Sequence, residues 1–150
     1  MSCIEKDNYI KLILDQKVLD LYTKYYFVEH PKAKKTPIEH PYHPSINQWC
    51  ILPRIQMNAL KQKWKDFTKF WVKLEKLESR QLDDFEIVIT VFFNVKRRHD
   101  VDNQVPKFIL DGFTDSGLIV DDDEKHLRSL TLKTGYDKEN PRTEIEFFIK

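Results

Sequence analysis

Glycine is scarce in this chain, with 3 in 150 residues, and no low-complexity tract appears. That argues against collagen-like and disordered classes, and 41% hydrophobic with 13% aromatic residues is ordinary for a folded domain. Cysteine is rarer still. Cys3 and Cys50 lie far apart and neither stands in a C-x-x-C spacing, so two reduced thiols in a cytoplasmic protein are expected rather than a disulfide. No apolar run reaches the length of a membrane span, and the N-terminal MSCIEKDNYIK lacks the apolar core of a secretory signal. An excess of one charge sign is also missing: 25 basic residues face 24 acidic ones. This balance argues against a generic polybasic nucleic-acid binder, so any such function must rest on local clusters. The length suits one domain with a real core.

Proline, in contrast, is concentrated. HPKAKKTPIEHPYHPS, residues 30–45, holds four prolines and cannot be a continuous helix. His30, His40 and His43 fall in it, but their loose spacing completes no zinc pattern, and solvated loop histidines are the expectation.

Periodicity supplies the elements. Ile10, Leu14, Val18, Leu21 and Tyr25 recur at helical steps and predict a helix over 8–27, capped by Asp7 or Asn8. The competing reading is a short strand in YIKLIL followed by a helix. Leu60, Trp64, Phe67, Trp71 and Leu74 form an apolar stripe on a helix over 58–77. Lys61, Lys65, Lys69 and Lys73 recur every four residues on the other side, as a solvated face or a phosphate-contacting one. FEIVITVFFNV, residues 85–95, predicts a central strand covered on both sides, since Val88 and Phe92 add apolar groups to its second face.

Pro106 sets the start of a short helix ending near Thr114, with Ile109, Leu110 and Phe113 inward, and Gly117 marks a turn. HLRSLTLKT and TEIEFFIK read as a hairpin joined by GYDKENPR, with Leu130, Leu132, Ile145, Phe147 and Ile149 inward. The irregular order of helices and strands favours α+β over a doubly wound sheet.

The chemistry concentrates in RRHDVDNQVPKFILDGF, residues 97–113. On an extended strand end Asp100 and Asp102 would share a face, and their like charges call for a cation between them. Oxygen-seeking Mg²⁺ suits such a pair. The acids at 121–124 offer a third carboxylate if the chain folds back. Three carboxylates holding Mg²⁺ fit phosphodiester hydrolysis, with Lys107 adding positive charge or orienting water, and Arg97 and Arg98 clamping phosphates. The competing structural reading makes DVDN a capping turn and DDDE a solvated loop.

The segment Arg97–Asp123 resembles the RusA family of Holliday junction resolvases. The shared pattern is basic residues, then Asp100, Asp102 and Asn103, then Lys107 and Asp111, then Gly117, then Asp121 and Asp122. PYHPSINQW, residues 41–49, resembles the family's proline-serine-asparagine loop. One departure stands out: Gln104, Val105 and Pro106 separate Asn103 from Lys107, one residue more than the family has. The resemblance implies an α+β, RusA-like single domain. Its sheet would be mixed, mostly antiparallel and packed with helices, with an extra N-terminal helix. Residues 1–36 would be a helical extension and Pro-rich loop, and 37–150 the endonuclease domain of one compact unit.

It also implies a Mg²⁺-dependent endodeoxyribonuclease, with Mn²⁺ as a substitute and no organic cofactor. That enzyme would be a homodimer that nicks branched DNA in recombination or repair, cytoplasmic in a bacterium or encoded by a phage, with no membrane association. Asp100, Asp102 and Asp122 would hold the metal, with Asp121 and Asp123 as alternates, and Lys107 would be the essential lysine. DNA contacts would fall to Arg97, Arg98, Lys61, Lys65, Lys69 and Lys73. The runner-up is a branched-DNA-binding module that has lost catalysis, and a third reading is a Ca²⁺-binding or purely structural acidic loop.

Overall fold

The computed structural model describes residues 3–150, and it opens with strands where helical spacing suggested a helix. β1 (Cys3–Lys6) and β2 (Tyr9–Leu14) pair antiparallel around Asp7 and Asn8. Asn8 takes a left-handed φ of 59°, so this dipeptide is hairpin chemistry and not a helix cap. Ile10, Leu12 and Leu14 are buried in alternation, a period of two that the wider spacing of Ile10, Leu14 and Val18 conceals. Helix α1 (Gln16–Glu29) starts only at Asp15, whose carboxylate accepts the Val18 N–H at 3.2 Å. The N-terminal segment thus supplies two strands of the sheet as well as a helix.

The Pro-rich stretch is irregular, as expected, and leads to the single turn α2 (Ile46–Trp49) and then to α3 (Arg54–Leu74). α3 begins after Pro53, earlier than its apolar stripe. Trp64, Phe67 and Trp71 are buried as predicted, together with Thr68 and Val72, while Leu74 at the helix end is partly exposed.

β3 (Phe85–Phe93), α4 (Lys107–Ser116), β4 (Leu127–Tyr136) and β5 (Arg142–Ile149) complete a five-stranded mixed sheet of order β1-β2-β5-β3-β4. All pairings are antiparallel except β3 with β4. The architecture is α+β. β4 and β5 are not a hairpin, because β3 lies between them and the connecting loop crosses its end, where the Asp137 N–H donates to the Phe93 carbonyl. The most apolar strand takes an interior place, and β4, with Arg128, Lys133 and Tyr136 exposed, takes the edge.

β3 has strand neighbours on both sides, but only one face is sealed. Phe85, Ile87, Ile89, Val91 and Phe93 are buried, whereas Val88 and Phe92 are half-buried, with the Arg142 guanidinium 4.0 Å from the Phe92 ring centroid. The core therefore lies between the odd-numbered face of β3 and the helices, where Phe113 of α4 meets Phe147 of β5 edge to face. Among the described residues no helix is long and apolar enough to cross a membrane.

Two glycines fix α4. Gly117 ends it at φ 87°, a left-handed conformation that favours glycine. Gly112 brings it against α3: a Cβ there would stand 2.5 Å from Thr68 Cβ, and Thr68 is itself held by a 2.7 Å hydrogen bond to the Trp64 carbonyl. Gly112→Ala gains about 1 kcal/mol of helix propensity. The overpacking should outweigh that gain, for a net loss of about 1–2 kcal/mol. Urea unfolding checks this, and a raised midpoint would show that the α3–α4 contact yields freely.

Candidate metal and phosphate site

The loop leaving β3 is anchored by His99, which stacks on Phe93 with ring centroids 3.6 Å apart. The chain then enters a one-turn 3-10 helix over Val101–Gln104. This changes the geometry expected of the aspartates. Asp100 stands just before that turn and Asp102 within it, so the pair does not sit on an extended strand end. Asp100 is 3.4 Å from exposed Arg98. Asp102 is exposed and has no side-chain partner among the described residues. Neither side chain caps the 3-10 turn. Gln104 of this turn is buried, and its amide donates to the Asp100 carbonyl at 3.4 Å.

Lys107 opens α4. Its ammonium lies 3.3 Å from Asp111 and 3.4 Å from Asp122. The second contact joins residues 15 apart in sequence, because the chain after Gly117 turns back along α4. Asp111 is also 3.6 Å from Lys61, giving an alternating chain Lys61–Asp111–Lys107–Asp122. Partial burial pulls the Lys107 pKa down, but the Asp111 and Asp122 carboxylates outweigh it and hold the pKa above the ordinary lysine value. Lys107 is therefore a fixed cation, suited to stabilising negative charge and not to taking up a proton.

The acidic run is sorted by the same geometry. The Asp121 carboxylate accepts the Asp122 N–H at 2.8 Å, and that of Asp123 accepts the Lys125 N–H at 3.1 Å. Both shape the turn. Of the three aspartates, Asp122 makes the contact with Lys107.

The lysine row divides. Lys65 bonds Asp115 at 2.7 Å, a hydrogen bond that raises its pKa, so Lys61 and Lys65 tie α3 to α4. Lys69 and Lys73 face a groove beside α1 instead. The reason is helical pitch: a step of four residues overshoots one turn by about 40°, so the row winds around α3. Arg97 and Arg98 are exposed and line a cleft of about 660 Å³ together with Tyr42, His43 and Asp100.

His43 departs from the expectation of a solvated loop histidine. Its Nε2 accepts the Phe108 N–H at 3.0 Å and its Nδ1 lies 2.6 Å from the Pro44 carbonyl. It thereby satisfies a free amide in the first turn of α4, right beside Lys107. Burial pushes its pKa down to about 4. Asn47 adds a second tie, its N–H donating to Asn103 Oδ1 at 2.9 Å. The signal for both was the stretch PYHPSINQW, which carried no sign of where it packs.

Among the described residues no three His, Cys, Asp or Glu side chains converge into a ready metal cage. The donors on hand are nevertheless hard oxygens, and Mg²⁺ commonly binds through one or two carboxylates with waters and substrate phosphates completing the shell. That habit suits one or two carboxylates open to solvent, and exposed Asp102 and half-buried Asp122 are the candidates. No protein-family model matches the chain, and no curated protein matches it.

Proposed function

We propose that this protein is a Mg²⁺-dependent, structure-specific endonuclease that nicks branched DNA such as four-way junctions, as the RusA resemblance implies. The observation that supports it most is the contact of Lys107 with Asp122, next to the 3-10 turn bearing Asp100 and Asp102. Asp102 and Asp122 would hold the ion, with waters and substrate phosphates completing its shell. When bound, Mg²⁺ supplies an activated water and polarises the phosphoryl oxygen. Lys107, kept cationic by its two carboxylates, offsets charge that grows on the phosphate. Arg97 and Arg98, exposed at the cleft, hold neighbouring phosphates. His43 fixes the first turn of α4 and so the place of Lys107, and Asn47 fixes the 3-10 turn that bears Asp102. Symmetric nicks in a four-way junction require two such sites, hence a homodimer.

The open arrangement of the carboxylates favours a second reading, a branched-DNA-binding module without catalysis. One assay separates them. A synthetic four-way junction is incubated with the protein in Mg²⁺, in Mn²⁺ and in EDTA. The nuclease reading expects nicking in both metals and none in EDTA; cleavage that persists in EDTA would sink the metal role. Salt-sensitive binding with no nicking in either metal would favour the binding module.

A further inference from the structure

On the side of α3 away from α4, a groove of about 700 Å³ opens between α1 and α3. Its walls are aromatic. Tyr25 stacks on Phe70 with centroids 5.0 Å apart, Tyr22 meets Phe70 at 5.1 Å, and His30 stacks on Tyr26 at 4.2 Å. Tyr25 remains 48% exposed although its ring meets both Phe70 and Tyr22.

The rim is basic. Lys63, Lys69 and Lys73 line the groove, and the exposed Lys32, Lys34 and Lys35 belong to the loop joining His30 to Pro37, both of which also line it. None of these six lysines has an ion pair among the described residues. Two acids line the groove, Glu29 and Asp66, and the Asp66 carboxylate already accepts the Gln62 amide at 2.8 Å. In a chain of near-zero net charge this is a marked local excess.

We propose that the α1–α3 groove binds unpaired nucleotides, stacking a base on the Tyr25–Phe70 wall while the lysines follow the phosphates. Stacked rings beside a positive track are how proteins hold single strands without reading sequence. An apolar helix would leave the lysines uncompensated, an acidic peptide would leave the ring faces unused, and a duplex keeps its bases inside. The groove is distinct from the Lys107 site, and the proposal does not depend on nuclease activity.

The test is fluorescence anisotropy of a labelled oligo-dT strand of about 15 nucleotides, within the usual span of such sites. The full chain is titrated in EDTA, so that binding is read without cleavage. Tyr25→Ala should weaken binding by roughly tenfold, and Tyr25→Trp should restore it. Lys69→Glu with Lys73→Glu should weaken it further and flatten its salt dependence. Thermal unfolding of each variant checks that it is folded. dTMP, with a single phosphate, should fail to displace the strand at concentrations where unlabelled oligo-dT does so, and displacement by dTMP as effective as by unlabelled strand would overturn the assignment to a strand. Wild-type affinity in Tyr25→Ala, or displacement by polyglutamate as effective as by unlabelled strand, would overturn the proposal.

Discussion

Lys107→Ala is expected to lower junction nicking by a factor of roughly 10²–10³, the usual cost of removing one group that stabilises transition-state charge. Asp102→Asn should lower it at least as far, because the amide keeps the shape of the side chain but loses the charge that attracts a divalent ion. Neither change should unfold the protein. The Lys107 side chain is 49% exposed, and ion pairs in that setting contribute little to stability because solvent screens them. Asp102 is exposed and unpaired among the described residues. A large loss of activity at an unchanged melting temperature would thus separate chemistry from folding. Lys107→Arg should keep part of the rate, since the charge survives but its position shifts. Wild-type nicking by Lys107→Ala would remove the lysine from the mechanism and with it the meaning of its contact with Asp122.

The parts of the fold legible in the sequence are those governed by local rules. Pro106 and Gly117 bracket α4, and Ile109, Leu110 and Phe113 point inward from it, because proline and left-handed glycine act within a turn. What failed was set by distant partners. The helix predicted over 8–27 gives way to its competing reading, a strand in YIKLIL followed by a helix, because β5 pairs with Tyr9–Leu14, and β4 and β5 look like a hairpin until β3 is placed between them. The candidate site divides in the same way. The types and order of Asp100, Asp102, Lys107 and Asp122 could be read in one dimension, and the fold does bring Asp122 to Lys107. The convergence of all the carboxylates could not be read, because it depends on a 3-10 turn whose sequence, VDNQ, also suits an extended end. The lysine row was misjudged as one surface because winding around α3 and the acids of α4 were both needed to see it split.

His43→Ala should cost about 3 kcal/mol of stability at neutral pH, combining a cavity with an abandoned amide. The ring sits between Trp64 and Phe108, at 5.5 and 4.9 Å, and is only 6% exposed. Its removal leaves the Phe108 N–H without its acceptor. The histidine also makes wild-type stability depend on pH. Its folded pKa of about 4 lies below the ordinary 6.5, so between those values the unfolded chain binds more protons than the folded one. Stability from this group is complete above about pH 6.5 and falls as pH drops towards 4, by about 3 kcal/mol across the window. The geometry agrees: a proton on Nε2 would oppose the Phe108 N–H, and the charge would be buried among aromatic rings.

His126 works in the opposite direction. Its hydrogen bond to the Asp83 carbonyl raises its pKa, so its contribution is present at low pH and lost as pH rises through that value. The comparison must therefore be made variant against wild type. Thermal unfolding at pH 7 and pH 5 should show a marked acid loss in the wild type and a much smaller one in His43→Ala. Equal slopes would mean that His43 is not held neutral at the head of α4. Because that histidine fixes the turn that carries Lys107, nicking and stability should fail together in acid, and an acid-active His43→Ala would part the two.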